Sequence, residues 1–383
     1  MVWWWGVVFS VAFAVPSRTT IAATGGAATA ILIDARTGQS LAEHDADAPR
    51  PGITLSQLML VLVNLEQASL GAFALDGLVT PRASASAVAV PPVRSPKLTA
   101  APNGLTLHGD RTYMLSDLLK ALVVSSSDTA AAAVAAAVAG SIPACVDLMN
   151  ARAQRLGMKA TRYSGVGNVG SAPPSGHDPT TARDLARLAQ ALLAYPQVLE
   201  WASLNGFPFD HGSVLLRNCN QLLGAVPGVD GLLVSSSPET GYSIVATAQR
   251  RSLRLVAVVL DAADSAARYK SAADMLEWGF TSYEQLDVVK KGDRLNPPIP
   301  VANGSVPQIR PVAGQTLSIL SRRDEEQDLQ VRYQLPTLLV APVKRHQPIG
   351  ELIVEERGAL IAVIPVLSPR TVSASGMLPA AAQ

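Results

Sequence analysis

The stretch Ala28-Thr29-Ala30-Ile31-Leu32-Ile33-Asp34-Ala35-Arg36-Thr37-Gly38-Gln39-Ser40-Leu41-Ala42-Glu43 carries the first decision about the fold. Residues 28–33 are apolar and partly β-branched, 34–39 supply turn formers, and 40–43 can return as a strand, so the segment reads as an opening hairpin. A matching region lies near residue 250. Two apolar runs, 242–248 and 253–260, are joined by Gln249-Arg250-Arg251-Ser252 and predict an antiparallel hairpin. Between the two regions the period changes. From Leu55 on, Leu58, Met59, Val61, Leu62 and Leu65 recur at helical spacing. A further helix starts at 116–120. The Ala- and Val-rich run 129–139 has no solvated side and must be a buried helix. Residues 144–157 and 179–194 are amphipathic helices, the second capped by Thr180 or Thr181, and 264–283 form a closing helix.

Strands at both ends with helices between predict an α+β domain over residues 24–284, a sheet packed against helices. Residues 80–104 are rich in Pro, Ala and Ser without a period and read as an irregular connection. From 286 to 366 short strands (317–320, 328–333, 351–354) alternate with Pro and Gly, which predicts a small all-β domain over 285–367. The small-residue segment 368–383 is expected to be a disordered tail.

Composition narrows the function classes. Hydrophobic residues make up 48% of 383 and charged residues 16%, which favours buried cores over disorder. Lys plus Arg total 31 against 30 acids, so no basic surplus exists to grip nucleic acid. Residues 2–15 are apolar apart from Ser10 and are followed by small residues; residues 1–23 read as a secretory signal peptide of an exported, periplasmic or cell-envelope protein. No Lys or Arg precedes the run, which leaves an uncleaved anchor open. Cys145 and Cys219 could pair in such a compartment, though Cys145 reads better as a small buried side chain. The five histidines are scattered, and no metal site or cofactor is expected.

Several segments, in order, resemble the low-molecular-mass penicillin-binding proteins, the serine D-Ala-D-Ala carboxypeptidases. They are Ile31-Leu32-Ile33-Asp34-Ala35-Arg36-Thr37-Gly38 with Arg50-Pro51, Leu148-Met149-Asn150, Thr180-Thr181-Ala182-Arg183-Asp184-Leu185-Ala186, Asn218-Cys219-Asn220, Val229-Asp230-Gly231, Arg268-Tyr269, and, in the β region, Lys291-Gly292, Val301-Ala302-Asn303-Gly304 and Ala341-Pro342-Val343. The resemblance covers roughly residues 28–366. It implies a penicillin-binding/β-lactamase-like transpeptidase domain followed by a small all-β domain, with peptidoglycan as the setting.

The resemblance also implies where the chemistry belongs. Such enzymes use Ser-x-x-Lys for the nucleophile and its base, Ser-x-Asn for proton shuttling and substrate contact, and Lys-Thr-Gly for the substrate carboxylate. At the first position this chain reads Thr54-Leu55-Ser56-Gln57; Thr keeps a hydroxyl, but Gln57 cannot take a proton. At the second stands Ser126-Ser127-Asp128, a carboxylate in place of the amide. At the third, Leu233-Val234-Ser235 replaces the cation and hydroxyl. Glu239-Thr240-Gly241 is not that motif; Gly241-Tyr242 matches the start of the next strand.

Plainer roles stand beside these. Thr54 reads as the N-cap of the following helix, Ser126 and Asp128 as a polar loop cap, and Leu233-Val234 as strand packing. The expectation is a carboxypeptidase-family protein with lost or greatly reduced activity that binds a peptidoglycan stem peptide or an envelope protein. The alternatives are an active enzyme with Thr54 as nucleophile, and a structural envelope protein acting through its β domain. Residues 372–383 carry no apolar face or basic stripe, so no C-terminal amphipathic membrane anchor is expected.

Overall fold

A computed structural model describes residues 19–20, 27–52, 54–81, 105–169, 178–237, 241–325 and 328–375. Most of the expected leader, the connection 82–104 and the pair Glu239-Thr240 lie outside the described residues. The chain divides into two compact units at Phe280/Thr281.

The first unit is built on a six-stranded sheet. Its strands are β1 (Thr19–Thr20), β2 (Ala27–Asp34), β3 (Ser40–His44), β4 (Val229–Ser237), β5 (Gly241–Arg250) and β6 (Leu253–Ala262), in the order β1-β3-β2-β6-β5-β4. Both expected hairpins are present: β2–β3 and β5–β6 pair antiparallel. Asp34 closes the first turn by accepting from the Thr37 backbone and hydroxyl at 3.2 and 2.6 Å. Register then sets a row across the sheet: Leu233 opposite Val245, Val245 opposite Val258, Val258 opposite Ile31. Directly opposed residues share a face, so these four apolar side chains form one continuous strip of the core.

Among the described residues, seven helices carry the rest of this unit: α1 (Ser56–Ser69), α2 (Leu115–Ser125), α3 (Asp128–Ala139), α4 (Ile142–Arg155), α5 (Ala182–Leu192), α6 (Pro196–Ala202) and α7 (Ser265–Ser282). In α1 every residue from Ser56 to Leu65 is buried, polar ones included, so the helix runs through the centre rather than along the surface. Residues 130–136 of α3 are buried as well, as their all-apolar composition requires. Ser127, Ser141 and Thr181 cap α3, α4 and α5 by accepting from Ala130, Ala144 and Asp184 backbone N–H groups. Each such cap contributes about 1 kcal/mol.

The second unit is all-β. A four-stranded sheet orders Val312–Ala313, Ala359–Leu367, Pro348–Glu356 and Leu329–Gln334, and Tyr283–Val289 pairs separately with Leu317–Arg322. Its core gathers Ile309, Leu352, Val354, Ile364, Val366 and Val372. Val372 corrects one expectation. Composition predicts a disordered tail from residue 368, yet the Val343 and Val372 backbones exchange hydrogen bonds at 2.9 and 2.8 Å, and both Ser368 and Val372 are fully buried. Val372 in the β core and backbone hydrogen bonds of Ser368, Ser373 and Ser375 with residues 303–305 and 346–347 seat the described part of the segment.

Candidate active site

The opening of α1 places the first pair of candidates. Thr54 lies in the turn before the helix, and its carbonyl accepts from the Gln57 N–H at 3.2 Å. It is not the N-cap, contrary to the sequence reading. Leu55 holds that position with helical dihedrals and no side-chain cap, because the chain enters α1 through a tight i→i+3 turn. The Thr54 hydroxyl makes no hydrogen bond to another described residue. Gln57, one turn along the helix, is 1% exposed. Its Nε2 donates to Asp128 Oδ1 at 2.9 Å and, at 3.4 Å, to the Ser126 carbonyl. Its Oε1 is buried with no hydrogen-bond partner among the described residues.

The link between α2 and α3 supplies the second pair. Ser126 ends α2 in the left-handed conformation (φ 52°) with its N–H on the Leu122 carbonyl. This turn aims its hydroxyl at the Val234 carbonyl, 3.3 Å away. The loop-cap reading is corrected in detail: Ser127, between the two candidates, caps α3, and Asp128 is the first residue of that helix. A carboxylate there is favoured by the helix dipole. Asp128 Oδ1 accepts from Gln57 Nε2 and from the Asn168 backbone N–H at 3.1 Å, and Oδ2 accepts from Asn168 Nδ2 at 2.8 Å. Burial pushes the carboxyl above its ordinary value, and the Asn168 and Gln57 hydrogen bonds pull part of the way back.

Asn168 and its neighbour Gly167 have no part in the sequence reading. The loop that holds them is tied to α1 by the Gly167 N–H, which donates to the buried Ser56 hydroxyl at 2.8 Å. Gly167 sits at φ +67°, and a Cβ on it would fall 2.3 Å from Asp128 Oδ1 and 2.6 Å from Gln57 Nε2. Only glycine allows the loop to close over this pair.

The third segment lies on β4. Leu233 is 2% exposed and belongs to the cross-strand apolar strip, while Val234 and Ser235 are also buried. A cation is nearby after all, on α7. The buried Arg268 guanidinium donates to the Ser235 carbonyl at 2.8 Å and the Ser243 carbonyl at 3.4 Å, and Nη2 reaches the Ser265 hydroxyl at 3.1 Å. Tyr242 and Tyr269 place their rings 5.5 and 4.4 Å from it. Burial lowers its pKa from the usual guanidinium value. These contacts bind β4 to α7 and occupy the guanidinium with backbone.

The fold therefore brings Gln57, Ser126, Asp128 and Val234 together by direct hydrogen bonds, and leaves Leu233 in the core. Thr54 stands at the entrance to α1, and its hydroxyl bonds to none of them.

Comparison with known proteins follows the same outline. The chain matches the D-alanyl-D-alanine carboxypeptidase family over residues 16–264, more than half its length. It also matches the penicillin-binding protein 5 C-terminal domain over 283–374. D-alanyl-D-alanine carboxypeptidase DacC of Escherichia coli (strain K12) is 29% identical over 348 residues, 90% of this chain and 84% of that protein. DacF of Bacillus subtilis (strain 168), another D-alanyl-D-alanine carboxypeptidase, is 24% identical over 358 residues, 92% of this chain and 87% of that protein. Among solved structures, PBP3 of Streptococcus pneumoniae, described as a peptidoglycan synthesis regulatory factor, shares the fold with a TM-score of 0.73 at 23% identity. That match covers 91% of this chain and 100% of the other. The chain belongs to the D-alanyl-D-alanine carboxypeptidase family, with the two-domain fold of penicillin-binding protein 5.

Proposed function

We propose that this protein is an exported, cell-envelope member of the family that binds peptidoglycan stem peptide, or an envelope protein presenting similar chemistry, and has lost peptidase activity. The observation that carries the reading is the Gln57–Asp128 hydrogen bond. At the position where the family resemblance calls for an ammonium able to give and take a proton stands a neutral amide, held by a carboxylate. Losing a positioned base costs about 10²–10⁴ in rate, and disabling a nucleophile unit can approach roughly 10⁶. The cation of the third motif is replaced by Leu233, which removes a charge-assisted contact of roughly 1.5–3 kcal/mol.

The test is to incubate the purified protein with a stem pentapeptide ending in D-Ala-D-Ala, measuring D-alanine release and peptide binding side by side. Binding without release is the expected result; release at a rate typical of the family overturns the reading.

One observation favours a second reading. The Thr54 hydroxyl makes no hydrogen bond to another described residue and lies one turn before Gln57, which fits an enzyme with Thr54 as nucleophile. It predicts D-alanine release that Thr54→Ala abolishes.

A further inference from the structure

The strand Leu329–Gln334 ends the four-stranded sheet of the β unit and has a strand neighbour on one side only, Pro348–Glu356. Every residue from Gln330 to Gln334 is exposed. Among the described residues, the backbone of this strand hydrogen-bonds to nothing beyond Pro348–Glu356. An open edge of this kind is a template for a further strand. Its side chains are unusual for an edge that faces water. Register sets Val331 opposite Val354 and Tyr333 opposite Leu352, both of which are buried in the β core. Directly opposed residues share a face, so Val331 and Tyr333 lie on the core side of the sheet. Leu329, on the same side, packs against the core, yet Val331 and Tyr333 remain 40% and 45% exposed. The apolar layer stops one strand short. On the opposite face Arg332 is held in an ion pair with Glu355.

We propose that two copies of this chain associate by pairing this strand antiparallel with itself, about a twofold axis centred on Val331. The two four-stranded sheets then join into one continuous sheet. The sequence Leu329-Gln330-Val331-Arg332-Tyr333 selects both the occupant and the register. Centred on Val331, each Val331 meets its counterpart and each Leu329 meets Tyr333 of the other copy, which extends the apolar layer across the axis. On the other face Gln330 meets Arg332, so no like charges are opposed. Centring on Arg332 would set two guanidinium groups against each other, which is destabilising. Centring on Gln330 would drop Tyr333 from the contact. A twofold axis needs one patch to be complementary to itself, and this strand is complementary to itself in the register about Val331.

Sedimentation equilibrium of the full-length protein tests the association. One strand pair is at the small end of specific interfaces, so a Kd of roughly 10–100 μM is expected over a range of about 1 μM to 1 mM. Val331→Lys sets two ammonium groups against each other at the axis and should weaken the dimer about tenfold or more. Mild oxidation of cysteine variants reads the register. Val331→Cys should give a disulfide-linked dimer, because opposed Cα atoms in an antiparallel pair lie about 4.5–5.5 Å apart. Arg332→Cys, which faces Gln330 across the axis, should give no more than the parent. Thermal melts establish that the variants fold; if Val331→Lys does not, the two cysteine variants decide. A parent that stays monomeric over the whole range leaves the edge to a strand of another protein and overturns the inference. So does a dimer that Val331→Lys leaves intact, or one in which Arg332→Cys links as readily as Val331→Cys.

Discussion

The Gln57 side-chain amide and the Asp128 carboxylate meet at 2.9 Å, joining the first turn of α1 to the first residue of α3. Both residues differ from what the family motifs call for, and the two differences fit each other. A carboxylate opposite a lysine would make an ion pair, and an amide opposite an amide would be neutral throughout. The pair present here keeps the hydrogen bond with an amide in place of the ammonium.

Restoring one residue is therefore not expected to restore chemistry. Gln57→Lys places an ammonium against Asp128, lowers the carboxyl pKa and locks the new cation in an ion pair. D-alanine release should stay below the ~10²-fold gain that a working base contributes. A kinetic assay beside an NMR titration of the Asp128 side chain checks both halves.

Asp128 also makes stability depend on pH. Its folded-state pKa lies above the ordinary 3.8, so the folded protein holds this proton more tightly than the unfolded chain. The contribution is fully present below the ordinary value and is lost as pH rises through the raised folded value. Asp128→Asn removes this titration, so its melting temperature relative to the parent should be more favourable at neutral pH than near pH 3.8. The difference should shift against the variant as pH falls toward 3.8. Melts over a pH series decide it; the same difference at every pH would contradict it.

Gly167→Ala tests the loop that covers the pair. The residue needs φ +67°, and its new methyl group would meet Asp128 and Gln57 at 2.3 and 2.6 Å. A loss of about 1–3 kcal/mol is expected in urea unfolding.

Arg268→Ala removes the guanidinium that binds α7 to β4. Its donations to Ser235, Ser243 and Ser265 are charge-assisted, and the vacated carbonyls stay buried. Unfolding experiments should show a loss of roughly 2–3 kcal/mol.

The two cysteines are free rather than paired. Cys145 is fully buried, and burial pushes its thiol up to about 12. Cys219 is half-buried and raised as well, with Arg268 offsetting part of the shift. A thiol reagent should modify Cys219 slowly in the native protein and Cys145 only after unfolding.

Much of the fold is legible in the residue pattern, because the signals are local. The turn formers 34–39 between apolar runs, the helical spacing from Leu58 to Leu65 and the all-apolar stretch of α3 each depend on neighbours a few residues apart. The motif positions are legible through the ordered family resemblance. What escapes is set by partners distant in sequence. Gln57 and Asp128 are 71 residues apart, and Asn168 lies 40 beyond Asp128, so no local pattern announces their hydrogen bonds. The same holds for Arg268, whose contacts lie 33 and 25 residues away. Caps are misread for a different reason. Thr54 and Ser126 have the right side chains, but backbone conformation assigns the positions to Leu55 and Ser127.

If no working nucleophile and base remain, a β-lactam cannot acylate the protein. Intact-mass measurement after exposure to a fluorescent penicillin tests it most directly. An unmodified mass is expected under conditions that fully label an active family member. A single β-lactam adduct mapping to Thr54 would contradict it.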